Sequence, residues 1–396
     1  MSTAAAAPSP APSEPLVLVR AEGAMTRITL NRPRAINALS SEMFGILAHA
    51  LRETRETAGA SGAAAPRSIL IDGAGDRGFC GGGDIKEIAG ADPRGILALE
   101  YAVDHWIARS PLPVVVIMDG IAMGGGIGLG GHAAQRVVTE RSRLAMPEVR
   151  IGIVPDVGGH LLLARAPGRL GELLAITAGE FGAADAIGLG FADWFVPSER
   201  IPELRAALAA GEAPAAACAR HAEQPPGPAP ILESAAWWDP IAEFALGAGA
   251  PDASATPAAP AAQGGAEAIA AAVRLLAALD ASPVPAAAAT AELVRGMCPA
   301  SVVVTLAQLD RTRRLDLDLA AVLADDLRVL GRLAARPDFP EGVRAQVIDK
   351  DRSPAWCPAT IAELEPAEVA AILDPELRDG EWALDLDPEL PADPRG

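Results

Sequence analysis

Lysine is almost missing from this chain: only Lys86 and Lys350 occur in 396 residues, so arginine carries nearly all of the positive charge. Acidic residues outnumber basic ones, and the formal net charge is −18. A chain this acidic lacks the basic face that nucleic acid or an anionic membrane surface requires, which argues against both as partners. An anionic ligand would need a local cationic or backbone-amide site. Aromatic residues are also scarce, at 4%. Alanine and other aliphatics must therefore fill the core, and with 50% of residues hydrophobic there is ample material for one. The four cysteines, Cys80, Cys218, Cys298 and Cys357, show neither a C-x-x-C pair nor zinc spacing. They read as small buried hydrophobes in a reducing cytosol. No uninterrupted apolar run reaches membrane-spanning length. Residues 1–15 are Ala/Pro/Ser-rich without a basic or an apolar signal region, and read as a disordered tail.

What is present alternates. Residues 16–20 and 25–31 are β-rich runs joined by Ala21-Glu22-Gly23-Ala24, the pattern of a hairpin. Ser40 is a good N-cap for a helix running to about residue 57, with a Gly/Ala-rich loop after it. Short buried strands are expected over 68–72, 113–118 and 136–139, with Pro113 tolerable at a strand start. Helices are expected over 95–109 and 124–131. Strands alternating with helices indicate an α/β domain. The character changes near residue 200. Residues 225–230 and 251–263 are Pro/Ala-rich linkers, while 266–279 and 317–334 have helical periodicity. The expected layout is an α/β core over 16–200, a variable helical and linker segment over 201–290, and a helical C-terminal region over 291–396.

Two glycine clusters follow predicted strands: Cys80-Gly81-Gly82-Gly83-Asp84 and Met123-Gly124-Gly125-Gly126-Ile127-Gly128. Glycine lets a ligand approach the backbone, and free amides at a helix start attract negative charge. Two such loops converging on one oxygen would make an oxyanion hole. A lone glycine-rich loop is more often a tight turn than a ligand site, and a dinucleotide fold is another option, though its acidic residue is not clearly placed. Two carboxylates, Glu148 in Met146-Pro147-Glu148 and Asp156 in Pro155-Asp156-Val157-Gly158-Gly159, sit in turn-like segments of an apolar stretch. Such surroundings drive pKa values apart, as acid–base work requires. Asp156 taken alone is better read as an N-cap. Glu148 divides evenly between functional and structural readings. Glu100, beside Tyr101, reads in isolation as a solvated helix position, Asp84 as a cap, and His132 as a packed histidine.

Taken together and in order, these motifs resemble the crotonase superfamily over residues 16 to about 197. The resemblance rests on Asn31-Arg32-Pro33 with Asn37-Ala38-Leu39, on Phe79 to Asp84, and on the triple glycine at 124–126. It implies a stack of ββα repeats, usually a homo-oligomer, and two backbone amides holding a thioester oxyanion, here Gly83 and Gly125. Enoyl-CoA hydratases of this superfamily use two glutamates. The second matches Glu148, but the first falls at Gly128, which has no carboxylate. The chain is thus similar to the 3-hydroxyisobutyryl-CoA hydrolase branch, whose substrate-contacting acids fall on Glu100, Glu148 and Asp156. Met297 to Ser301, Glu341-Gly342-Val343-Arg344 and Ile348-Asp349-Lys350-Asp351 resemble that branch's C-terminal domain, which is expected to return over the active site. The resemblance implies hydrolysis of a short 3-hydroxyacyl-CoA, with Glu148 as nucleophile or general base and Asp156 assisting. Arg34 is a plausible contact for the phosphates of CoA. No metal or redox cofactor is implied. Hydration or isomerisation of an enoyl-CoA, and binding without turnover, are the rival readings.

Overall fold

The first two β-rich runs pair as an antiparallel hairpin, β1 (Val17–Glu22) and β2 (Met25–Leu30), closed by only Gly23 and Ala24. In this computed structural model, residues 14–58, 65–90, 93–247, 261–390 and 393 are described. The tail expected over 1–15, except its last two residues, lies outside them, as do residues 59–64 of the loop and 251–260 of the second linker.

From β2 onward every strand pairing is parallel. β3 (Ser68–Gly73), β5 (Val114–Met118), β7 (Gln135–Val138) and β9 (Trp194–Phe195) extend the hairpin into a six-stranded sheet of order β1-β2-β3-β5-β7-β9. After each of β3, β5 and β7 the chain turns into a three-residue strand of a second sheet: β4 (Gly78–Cys80), β6 (Ile121–Met123) and β8 (Arg143–Ala145). Helices follow each pair: α1 (Ser41–Ala58) after the hairpin, α2 (Ile85–Ile88) and α3 (Pro93–Ala108) after β4, α4 (Gly125–Gly131) after β6, and α5 (Gly159–Arg165) beyond β8. This is the stack of ββα repeats that the resemblance implied. The second-sheet strands escaped prediction because three residues are too few to show alternation.

Parallel strands buried on both faces read as continuous apolar runs, and here the two faces feed two cores. Ile69, Ile71, Val114, Val116 and Met118 enter the main core, while Leu70, Val115 and Ile117 enter a smaller one with Ile201, Leu204 and Leu208. The helix Ile201–Ala209 thus covers the sheet's outer face, and its Arg205 bonds Asp72 on β3 at 2.7 Å. The change of character near residue 200 therefore marks the end of the strands; the packed core continues beyond it. The helices Ala261–Ala281, Pro299–Leu315, Leu319–Ala334 and Pro366–Leu373 join the main core. No single helix among the described residues is long and apolar enough to cross a membrane.

At one point the two regions meet backbone to backbone. A Cβ on Gly342 would lie 2.5 Å from Ile151 Cα, and one on Gly152 (φ +84°) would lie 2.7 Å from the Asp338 carbonyl carbon. Glycine is needed on both sides of that contact. Arg344 then gathers Glu341, Asp349 at 2.7 Å and Asp351 at 2.6 Å, which ties the turn 344–351 together.

Candidate active site

Asn37 organises the first glycine loop. It is buried with φ +53°, a left-handed conformation that asparagine tolerates better than most residues. Its Nδ2 donates to the carbonyls of Ala74, Gly78 and Phe79, and its Oδ1 accepts from the Arg32 amide. Arg32 in turn donates to Asp84 at 2.7 Å. Asp84 stands at the N-cap position of α2, yet its side chain serves Arg32 and no backbone amide of the helix. The segment 36–39 also takes up the loop's amides: Gly81 donates to Ile36 at 2.7 Å, and Asp84 to Leu39 at 2.7 Å. Among the described residues no hydrogen bond takes up the amide of Gly83, nor that of Gly125 at the start of α4. These two loops touch. A Cβ on Gly125 would stand 3.3 Å from the Gly83 nitrogen.

Glu100, Glu148 and Asp156 line the same cleft as these glycines, a space of about 260 Å³ walled by Ile88, Leu97, Ile153 and Leu330. α3 brings Glu100, buried and facing α4, so close that a side chain at position 125 would collide with Glu100 Oε1. Glu148 opens a 3₁₀ turn after β8, with Oε1 3.0 Å from where a Cβ on Gly124 would be and Oε2 buried without a partner among the described residues. Asp156 does not cap α5, whose N-cap is Gly158; its Oδ2 accepts from the Tyr101 hydroxyl at 2.6 Å. Burial raises the proton affinity of all three acids, and their mutual charge adds to it. Glu100 and Glu148 lie well above the usual carboxylate range, through burial and then the Asp156 charge. Asp156 is pushed up to about 7 by burial and then by Asp326, the Tyr101 hydrogen bond working the other way. Three acids so placed oppose one another's ionisation.

Arg34 is exposed and lies outside the lining, its carbonyl accepting from Arg77 at 3.3 Å. The cation inside the cleft is Arg150, which sequence reasoning passed over. His132 is the packed histidine expected, its Nε2 3.1 Å from the Val157 carbonyl and its pKa lowered to about 4 by burial. Leu330, Gln346 and Val347 complete the wall from the C-terminal region. A larger space of about 470 Å³, between Leu51–Arg55, His105–Pro111 and Asp385–Asp387, contains none of the predicted residues.

Asp104 was also missed. It lies one helical turn beyond Glu100, fully buried, and neither carboxylate oxygen has a hydrogen-bond partner among the described residues. Its Oδ2 sits 2.5 Å from where a Cβ on Gly128 would be. The space above Gly128 is therefore filled from α3. The i, i+4 spacing from Glu100 was the signal available in the sequence.

Residues 25–373 match the model of the enoyl-CoA hydratase/isomerase family. The chain belongs to that family. Within the enoyl-CoA hydratase/isomerase family it is 33% identical to the mitochondrial 3-hydroxyisobutyryl-CoA hydrolase of Gallus gallus and 34% identical to that of Rattus norvegicus; each match covers 88% of this chain and 86% of the relative. The crystal structure of a carnitinyl-CoA dehydratase from Mycobacterium thermoresistibile is similar with TM-score 0.80 and 37% identity, over 95% of this chain and 100% of that one. That of an enoyl-CoA hydratase from Rhodobacter sphaeroides 2.4.1 gives TM-score 0.75 and 37% identity, over 91% and 98%. These relatives bear different activity names on one fold, so the residues of the cleft must decide between them.

Proposed function

We propose that the protein hydrolyses a short 3-hydroxyacyl-CoA thioester, with 3-hydroxyisobutyryl-CoA as substrate, giving 3-hydroxyisobutyrate and CoA as in valine breakdown. The observation that carries this reading is the set of acids. Glu148 and Asp156 line one cleft with the glycines Gly83 and Gly125, while position 128 has no room for the first of the two hydratase glutamates. The thioester oxygen accepts from the amides of Gly83 and Gly125, where charge develops in the tetrahedral state; one such donor is worth about a hundredfold to a thousandfold in rate. Glu148, once ionised, takes a proton from water or attacks the carbonyl carbon itself. Asp156 passes a proton or holds the substrate hydroxyl, and Glu100 places that hydroxyl or tunes Glu148. Arg150 within the cleft and Arg34 outside it are the cations offered to the phosphates of CoA. The scheme calls for no metal or redox cofactor. A homo-oligomer in the cytoplasm belongs to the same reading, the location supported by four unpaired thiols.

The names of the two solved relatives favour a second reading, hydration or dehydration of an enoyl-CoA. Thiol release from an acyl-CoA panel, read beside the enoyl absorbance of crotonyl-CoA, separates the two. Release from the 3-hydroxy esters with crotonyl-CoA untouched is expected. Loss of enoyl absorbance without thiol release would reverse the order, and binding without either change would make the protein a non-catalytic binder.

A further inference from the structure

The turn that carries Asp156 is held from three directions. Val157 has φ +52°, and a β-branched residue adopts that left-handed conformation only where its surroundings impose it. Gly158 follows at φ +70°. From α3, the Tyr101 hydroxyl donates to Asp156 Oδ2 at 2.6 Å; from the end of α4, His132 Nε2 meets the Val157 carbonyl at 3.1 Å. The third hold comes from the helix Leu319–Ala334. Asp326 Oδ2 accepts from the Gly158 amide at 3.0 Å, and Asp326 Oδ1 lies 2.7 Å from His160 Nδ1.

Asp326 and His160 are both essentially inaccessible to solvent. A buried carboxylate needs charge-assisted partners, and these two donors supply them. His160 Nε2 has no partner among the described residues, which suits a tautomer with its hydrogen on Nδ1, directed at the carboxylate. One carboxylate thus bridges the turn and the first residues of α5, from more than 160 positions further along the chain. Without it the Val157-Gly158 turn would keep its strain and lose an anchor.

We propose that Asp326 is a positioning residue of the reaction: through the Gly158 amide and His160 it holds the Val157-Gly158 turn, and so sets the carboxylate of Asp156 in the cleft. The proposal rests on the reading of Asp156 as a working acid. It makes the C-terminal helix part of the machinery rather than only a wall. Asp326 also faces Asp156 as a like charge, in a cluster with Glu100, Tyr101, Asp104, Glu148 and His160. Removing it should move the acid limb of the kcat profile to lower pH.

The test compares Asp326→Ala, Asp326→Asn and His160→Phe with the control Asp325→Asn. Asp325 is the adjacent buried acid, bonded instead to Arg311 at 2.8 Å and Gln308 at 3.1 Å. Two readouts are used: kcat and KM from thiol release, and hydrogen exchange of the amides at 157–160. Asp326→Ala should lower kcat by about tenfold to a hundredfold with KM nearly unchanged, the cost of a small misplacement of a working group. Exchange at 157–160 should quicken with it. Asp326→Asn keeps an acceptor for the Gly158 amide and should recover part of the loss. His160→Phe reaches the same link from the other end, should the Asp326 variants fail to fold. The Asp325→Asn protein should match wild type in both readouts. Unchanged exchange at 157–160, or an equal loss in the Asp325→Asn protein, overturns the proposal. Because exchange needs no substrate, a wild-type protein that releases no thiol would sink the hydrolase reading while leaving the hold on the turn separately decided.

Discussion

Gly125→Ala is the sharpest probe of the cleft, because it adds one methyl group at the point where the two glycine loops meet. The backbone of Gly125 is not left-handed, so alanine can adopt it without strain. The new Cβ would stand 3.3 Å from the Gly83 nitrogen and 3.3 Å from Leu39 Cδ1, in the gap where a shared oxygen must fit, and inside the contact distance of Glu100 Oε1. The closest collision is with the end of a flexible side chain, which can swing away, so folding should survive. An oxyanion, however, must sit about 2.7–3.1 Å from both donors, and a methyl group in the gap denies it that position. Loss of one donor costs about a hundredfold to a thousandfold in kcat, or roughly 2.7–4 kcal/mol of barrier. Gly126→Ala is the contrast. Its Cβ would meet the Cys80 carbonyl oxygen at 2.7 Å and Cys80 Cβ at 2.9 Å, so fixed backbone is struck and stability should fall. Thiol release and thermal melting of both proteins give the comparison. Near-normal turnover in a well-folded Gly125→Ala protein would show that the two amides do not hold the reacting oxygen.

Glu148→Gln should abolish thiol release while CoA-ester binding, followed by calorimetry, persists; Asp156→Asn should slow turnover strongly but less completely, and near-normal hydrolysis by the Glu148→Gln protein would mean that the wrong acid has been chosen. The kcat profile should fall on the acid side, since a working carboxylate must be ionised: with the Asp156 pKa raised to about 7 by burial and then Asp326, activity is present above that pH and lost below it, and a rate flat from pH 5 to 8 would contradict this. Gly128→Ala brings a Cβ to 2.5 Å from Asp104 Oδ2 and 2.8 Å from Val157 Cβ, and should cost about 1–3 kcal/mol in urea unfolding as overpacking. Adding Asp104→Gly should recover much of that cost; additive losses in the double variant would show that the two positions do not share the space.

Much of the fold could be read from the chain alone. The short, β-branched apolar runs of β3 and β5 read as strands buried on both faces, and Ser40 does cap α1, its hydroxyl accepting from the Met43 amide at 3.3 Å. The glycine loops, Glu148 and Asp156 were legible because glycine and acid in an apolar stretch are chemically conspicuous. Local pattern could not say which amides are free, and that was decided when segment 36–39 took up those of Gly81 and Asp84 and left Gly83. Nor could it separate Glu100 from a solvated helix position or Asp156 from a cap, since both readings use the same residues at the same spacing. Packing of α3 against the glycines of α4 decided the first, and the Tyr101 hydroxyl decided the second. Asp104 and Asp326 carry no local signal strong enough to single them out, because what marks them is burial beside other acids. Burial is a property of elements brought together from distant parts of the chain, and only the tertiary structure sets it.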